Sequence, residues 1–395
     1  MTTVPGQVDR RPARDRVQSA LAELDWWLLG AALAVSAFGV YVVKVATEGD
    51  IPSDPGYFFT RQVAYTLIGF VALFFIMRLD LEWLSRYAWT LYAILIAAVG
   101  IVLVLGSSAR GSTRWIELGP LRIQPSEIGK LIIAFVIAVI VVERIRSMDS
   151  ARLSLVVAVV TAVPAAIVFL QPDLGTALVY AAIALTILWV AGQPITHFIV
   201  VGFVVVAAAA LVLYVLPGAG LNVLKPYQVD RLTAFVDSGS DRSATGYQLE
   251  QSKVAIGSGG AFGKGPSGAT QTINDFLPEH HTDFIFAVVA EMFGFLGAGL
   301  LIGLYFVIVW RALVIMRSAA TELERLVAAG IAAMLAFEVF VNIGMNVGIM
   351  PITGIPLPLM SYGGSHTLTN LVAVGVLLRI GARGLGPGVR PAASP

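Results

Sequence analysis

Leu277-Pro278-Glu279-His280-His281-Thr282-Asp283-Phe284-Ile285-Phe286 closes a long polar connection, and a strongly apolar run starts at Phe284. Two acids and two histidines therefore stand at the lip of a hydrophobic segment. Ionisable groups are costly beside hydrocarbon, so their presence there points to function if the segment crosses a membrane. Composition says that it does. The chain is 57% hydrophobic and 13% charged, with a mean hydropathy of +0.83, whereas an average soluble domain carries about 25% charged residues. A soluble fold of this length would lack the charges to cover its surface, which leaves a polytopic membrane protein. Cysteine is absent, excluding disulfides, thiol nucleophiles and cysteine metal sites.

Apolar runs of about 17–25 residues suffice to cross a bilayer as helices. About ten occur, at roughly 26–46, 60–78, 86–106, 125–143, 153–170, 174–192, 195–216, 283–311, 325–347 and 366–381. The expected fold is all-α: a ten-helix membrane domain over 25–383, with flexible cytoplasmic tails at 1–24 and 384–395. The run from Trp26 to Val43 is too long for a signal-peptide core and is expected to be retained as a helix. Basic residues near the helix ends set the orientation. Arg78, Arg86, Arg144, Arg146, Arg152, Arg311, Arg317, Arg325, Arg379 and Arg383 fall on the side of the arginine-rich N-terminal tail, giving N-in and C-in.

Two outer connections are basic. The first, 106–124, holds Arg110, Arg114 and Arg122; the second, about 217–282 before the eighth helix, holds Lys264 among other cations. A connection of that length is usually functional. Its stretch 246–256, which contains Gln248, has an amphipathic pattern that predicts a helix at the membrane surface. Gly257-Ser258-Gly259-Gly260-Ala261-Phe262-Gly263-Lys264-Gly265 fails as a phosphate loop, because Ser258 and Gly265 stand where Gly and Ser or Thr are required. A flexible connector is expected there, or backbone amides that approach a phosphate.

In Gln124-Pro125-Ser126-Glu127-Ile128-Gly129-Lys130, Pro125 suits a first helical turn. Glu127 and Lys130 share a face, either as a structural pair or lining a substrate path. Arginine suits phosphate oxygens, so Arg110, Arg114 and Arg122 suggest a diphosphate site, or else anionic lipid heads. Asp173 reads as a helix cap or a site residue, and Asn342 with Asn346 as a hydrogen-bonding face between helices. Met350 to Ser365 cannot be regular helix, since Pro356 and Pro358 break it; a re-entrant plug or a wall of a site is expected before the tenth helix. Asp283 either caps the eighth helix or acts as a general base whose strength partial burial raises. The histidine–acid cluster matches no specific zinc spacing.

These motifs, Gly111-x-x-Arg114-Trp115-Ile116, Gln124-Pro125-Ser126-Glu127-x-x-Lys130, Gln171-Pro172-Asp173-x-Gly175-Thr176, Gly246-Tyr247-Gln248, Leu277-Pro278-Glu279-x-x-Thr282-Asp283-Phe284-Ile285-Phe286 and Ser361-Tyr362-Gly363-Gly364-Ser365, follow one another as they do in the SEDS (RodA/FtsW) family, which the chain closely resembles over nearly its whole length. Met350 to Pro358 looks nearest the RodA elongation branch. The resemblance implies a peptidoglycan glycosyltransferase that polymerises lipid II, an undecaprenyl diphosphate-linked disaccharide peptide, at the outer face of the bacterial cytoplasmic membrane. It implies Asp283 as the catalytic aspartate and Glu127 with Lys130 as a functional pair. The candidate substrate- or diphosphate-binding residues are Arg110, Arg114, Gln124, Ser126, Lys264, Glu279, Ser361, Tyr362 and Ser365, with Asp173, His281 and Gln248 as structural or site-supporting residues. A divalent cation, Mg2+ or Mn2+, is expected, with Asp283 or Glu279 as candidate ligands. The implied partner is a class B penicillin-binding protein transpeptidase within a cell-elongation complex; no nucleic acid is implied. Met292 departs from the family by replacing a second acid after Glu291. Two other functions suit the same features: a flippase for the same lipid, and a non-catalytic scaffold for cell-wall enzymes.

Overall fold

A computed structural model describes residues 24–105, 107–109, 112–118, 121–211, 244–274 and 276–384. In chain order these form α1 (Trp26–Ala46), α2 (Tyr57–Ile76), α3 (Leu81–Ser85), α4 (Ala88–Leu105), β1 (Ser107–Ala109), β2 (Ser112–Leu118), β3 (Leu121–Ile123), α5 (Pro125–Arg144), α6 (Ser150–Leu170), α7 (Leu174–Val190), α8 (Ile195–Ala210), α9 (Ala244–Ser258), α10 (Thr270–Ile273), α11 (Ile285–Ser318), α12 (Glu322–Val347) and α13 (Gly364–Gly384). Helices stand at all ten expected spans. Seven of them, α1, α2, α5, α6, α11, α12 and α13, are long and apolar enough to cross a membrane, and α4, α7 and α8 are shorter apolar helices. The tails at 1–23 and 385–395, Arg110, and residues 212–243 of the long connection lie outside the described residues.

Helix faces follow the logic of a lipid solvent. On α2 the buried residues Gln62, Thr66, Gly69 and Leu73 form one stripe at helical spacing, while Leu67, Ile68, Val71, Phe74 and Phe75 are exposed. The stripe packs on α13, where Gly69 and Gly375 let the two helices approach closely. At the centre, α5 is enclosed, with every residue from Ile133 to Val141 buried between neighbouring helices.

Polar contacts sort the helix termini to two ends of the molecule. At one end Arg311, on the last part of α11, forms a forked pair with Asp25 at the start of α1, 2.7 Å at its shortest. Arg383, at the end of α13, lies 3.0 Å from Glu324 at the start of α12. The first described residues and the end of α13 are therefore on the same side. At the other end Gln124 donates its backbone N–H to Ser365 Oγ over 2.9 Å, and the connections before α7, α11 and α13 converge around it.

The connection 106–124, expected as a loop, contains a small antiparallel sheet in the order β1-β2-β3, with Ile116 opposite Ile123. The amphipathic stretch forms α9, but it packs on α11 and α12, and Ser252 Oγ donates to the Asn346 carbonyl over 2.9 Å.

The glycine-rich segment corrects the expectation of a flexible connector or phosphate nest. Inside α11, Gly294 leaves helical geometry at φ 65° and ψ −164°, kinking the helix. The carbonyls of Glu291 and Met292 then accept from the N–H groups of Lys264 and Gly265, each over 3.0 Å, and Phe295 N–H donates to the Gly260 carbonyl over 2.8 Å. The segment restores backbone pairing that a kinked span would otherwise lose. Gly263 is required by this contact: its φ is +81°, and an added Cβ would lie 2.2 Å from the Met292 oxygen. Gly263→Ala should therefore cost about 1–3 kcal/mol in overpacking, plus about 1–2 kcal/mol for left-handed backbone. A clear drop in melting temperature in detergent is expected; an unchanged one would mean that the segment is not docked on the kink.

Candidate active site

Gln124 precedes α5 and Pro125 opens it, so Glu127 and Lys130 project from the first two turns. Lys130 Nζ donates to both oxygens of Glu127, at 2.7 Å each, and to Glu338 Oε1 at 2.6 Å. His366 Nδ1 lies 2.9 Å from Glu127 Oε2. All four side chains are sealed from solvent. A buried ammonium needs anionic acceptors and the carboxylates need a cation, so each is tolerated only because of the other. Of the two readings of this pair, the structure therefore shows the structural one: Lys130 is enclosed by carboxylates and does not line a substrate path. Glu338 was missed from sequence. Its signal was the spacing: Glu338, Asn342 and Asn346 recur every four residues on one face of α12.

That stripe carries the site outward to Asp283. Asn342 Nδ2 donates to the Asp283 carbonyl over 2.9 Å and to the Ile355 carbonyl over 2.8 Å. Asn346 Nδ2 donates to the same Asp283 carbonyl over 3.1 Å, and its Oδ1 accepts from Ala287 N–H over 3.2 Å. The capping reading of Asp283 is corrected: the N-cap of α11 is Phe284, with no side-chain cap bond, and Asn346 serves the first-turn amide instead. The half-buried Asp283 carboxylate faces Gly354, where a Cβ would lie 3.5 Å from Oδ2.

The segment around Asp283 is fixed from several sides. Glu279, at φ 57°, accepts from Thr282 Oγ1 over 3.0 Å with its carboxylate. Ser361 Oγ donates to the Thr282 carbonyl over 2.6 Å, and Tyr362 N–H to the His281 carbonyl over 2.9 Å. The proline-rich connection 350–363 is non-helical, as expected, and is largely buried by protein. Burial, chiefly, pushes the Tyr362 hydroxyl up to about 12, opposed by Arg61 and Arg122. It is therefore protonated at neutral pH.

Several residues expected at a diphosphate are engaged elsewhere. Arg114 Nε and Nη2 donate to the carbonyls of Gln171 and Pro172, and Nη1 lies 3.8 Å from Asp173. Asp173 caps α7, accepting from Thr176 N–H over 3.2 Å. Gln124 Nε2 donates to Asp173 Oδ2 and to Ser126 Oγ, while Ser365 Oγ also donates to the Arg122 carbonyl. Lys264 lies 3.7 Å from Glu291, whose carboxylate anchors the N–H groups of Gln271 and Thr272. Ser361 is fully buried. These side chains assemble the mouth of the site instead of lining it: Arg114, Asp173, Ser361, Ser365 and Glu291 satisfy backbone groups of turns, and Gln124 and Lys264 pair with other side chains. Gln248 sits half-buried on α9.

Among the described residues, two groups could supply metal ligands: Glu127 with Glu338 and His366, and Asp50 with His280 and His281. Lys130 fills the first with its own charge. Neither contains Asp283 or Glu279, the ligands expected from sequence.

A family model described as cell cycle protein, covering FtsW, RodA and SpoVE, matches residues 22–384. A probable peptidoglycan glycosyltransferase FtsW of Hahella chejuensis is 36% identical over 372 residues, 91% of this chain and 90% of the relative. Stage V sporulation protein E of Bacillus subtilis is 36% identical over 354 residues, 88% and 93%. Among solved structures, a chain from a study of how a peptidoglycan synthase complex coordinates polymerization and crosslinking matches with a TM-score of 0.77 at 30% identity, over 92% of this chain and 98% of that one. RodA of Thermus thermophilus matches with a TM-score of 0.67 at 28% identity, over 92% and 98%. Fold and relatives define a multi-pass membrane enzyme of the glycosyltransferase class. The chain belongs to the FtsW/RodA/SpoVE family.

Proposed function

We propose that this enzyme polymerises lipid II into peptidoglycan strands at the outer face of the bacterial cytoplasmic membrane. The observation that carries the reading is Asp283, a half-buried carboxylate whose backbone carbonyl two asparagines hold at the end of the molecule opposite both described termini. The arginines clustered at the terminal end make that end cytoplasmic, which leaves Asp283 outside. Asp283 accepts the proton of an acceptor sugar hydroxyl. The hydroxyl oxygen then bonds to the anomeric carbon in line, with inversion, and the bond from that carbon to the diphosphate breaks. Arg61 and Arg122, which both act electrostatically on Tyr362, are the described cations suited to the departing charge. Stabilising that charge is expected to be the largest contribution to rate. Lys130, Glu127 and Glu338 are positioning residues that hold α5, α12 and α13 together beneath the site. A divalent cation would when bound neutralise further diphosphate charge, and Asp50, His280 and His281 are residues whose chemistry suits Mn2+.

A class B penicillin-binding protein is the proposed partner, by analogy with the synthase complex. Service in elongation rests on the Met350 to Pro358 resemblance, although curated relatives carry the FtsW name. Depletion in the native host should round the cells; filaments with failed septa would reverse that assignment.

Purified protein, alone and with the transpeptidase, given labelled lipid II in liposomes, tests the function. Glycan strands are expected. Movement of lipid between leaflets without strands would make the chain a transporter, and neither product would make it a scaffold.

A further inference from the structure

We infer that Asp50, His280 and His281 bind a borderline divalent cation of the Mn2+ or Zn2+ class. Asp50 comes from the connection after α1, and the two histidines from the connection before α11, so folding brings them together. One carboxylate oxygen is the focus. His280 Nε2 lies 3.3 Å and His281 Nδ1 3.9 Å from Asp50 Oδ2, and the candidate ligand atoms all fall within 4.8 Å of one another. Ligands about 2.1 Å from a tetrahedral ion are separated by about 3.4 Å, so this spacing fits an ion at their centre.

The orientation of His280 has the same meaning. Its Nδ1 lies 3.0 Å from the Leu277 carbonyl. A carbonyl only accepts, so Nδ1 carries a proton and the ring presents Nε2 to Asp50. This is how a metal-binding imidazole is normally fixed, by a hydrogen bond from its other nitrogen. The ring of His281 is held too, with Phe58 at 4.6 Å and Tyr362 at 5.8 Å between centroids. The side chains of His280 and His281 are 3% and 12% exposed and that of Asp50 is 22% exposed, so the open coordination positions lie on the Asp50 side.

Donor chemistry selects the ion. Two imidazoles and one carboxylate suit Mn2+ or Zn2+, whereas Mg2+ and Ca2+ prefer oxygen throughout. The alternative cluster of Glu127, Glu338 and His366 does not compete, since an ammonium occupies it. His281 precedes Asp283 by two residues, so the site adjoins the proposed reaction centre. The inference nonetheless rests on ligand geometry and not on the glycosyltransferase reading.

Full-length protein in detergent, stripped with chelator, should be titrated with MnCl2 by calorimetry and by the loss of the free-Mn2+ magnetic resonance signal, and with ZnCl2 by calorimetry. Saturable binding is expected, tighter for Zn2+ than for Mn2+. Asp50→Asn and His280→Gln should each weaken it by more than the about 10–100-fold that loss of an outer-shell partner costs. Glu279→Gln and Asp283→Asn should leave it unchanged. Elution volume and melting temperature confirm that each variant is folded, and the partly exposed Asp50 is the safer of the two ligand positions. Absence of binding by the parent protein overturns the site. So does binding that survives both ligand changes, or that is abolished by Glu279→Gln or Asp283→Asn. Polymerisation measured in parallel separates the two readings: strands without binding remove the cation site alone, and binding without strands removes the proposed reaction alone.

Discussion

Replacing Asp283 by asparagine should abolish polymerisation of lipid II while leaving the protein folded. The substitution keeps the shape of the side chain and removes its basicity. A positioned general base contributes about 10²–10⁴-fold to rate, so residual strand synthesis should fall below about 1% of the parent. Structural loss is not expected, because this turn is anchored through backbone atoms. Asn342 and Asn346 hold the Asp283 carbonyl, and Ser361 and Tyr362 hold those of Thr282 and His281. Strand synthesis by the purified variant, with its melting temperature as a folding control, makes the measurement. Activity near that of the parent would remove Asp283 from the chemistry.

Lys130→Met should be the most destabilising single change in the membrane domain. It leaves Glu127 and Glu338 buried without their cation, and breaking a buried pair from one side costs about 3–5 kcal/mol. Taking away charge on the other side as well should give part of this back, since neutral groups of similar shape need no counter-ion. A cycle of Lys130→Met, Glu338→Gln and the double variant should therefore be non-additive, with a coupling of about 0.5–3 kcal/mol. Melting temperatures in one detergent measure it. Strict additivity would mean that the 2.6 Å contact between Lys130 and Glu338 carries no energy. Because this cluster ties α5, α12 and α13 beneath Asp283, reduced polymerisation should accompany the loss of stability.

Much of this architecture was legible because a bilayer makes few demands and makes them strictly. Each span must be a long apolar helix with its backbone bonds made internally, so runs such as 26–46 and 325–347 announce themselves. Asp283 and Glu127 were legible for the converse reason, that an acid beside hydrocarbon needs a purpose. Caps such as Asp173 were readable because capping is a local bond, made over three residues. The small sheet in 106–124 was missed because two of its three strands are only three residues long, and Glu338 because its partner Lys130 is 208 residues away and the stripe it shares with Asn342 and Asn346 reads as hydrogen bonding between helices.

The sequence by itself determined the class of protein, its spans, both basic connections and the motif order that marks the family. These depend on composition and on interactions between residues near in the chain. Only the tertiary structure decided which charges face one another. It set Lys130 against Glu338, 208 residues away, and moved Arg114 from a diphosphate to the turn before α7. It turned a glycine-rich connector into the partner of the kink at Gly294, and joined Asp50 to the histidine pair of Leu277 to Phe286. The physical reason is common to all four. In a low-dielectric interior every charge and every freed backbone group must find a partner, and packing of the helices chooses which one is within reach.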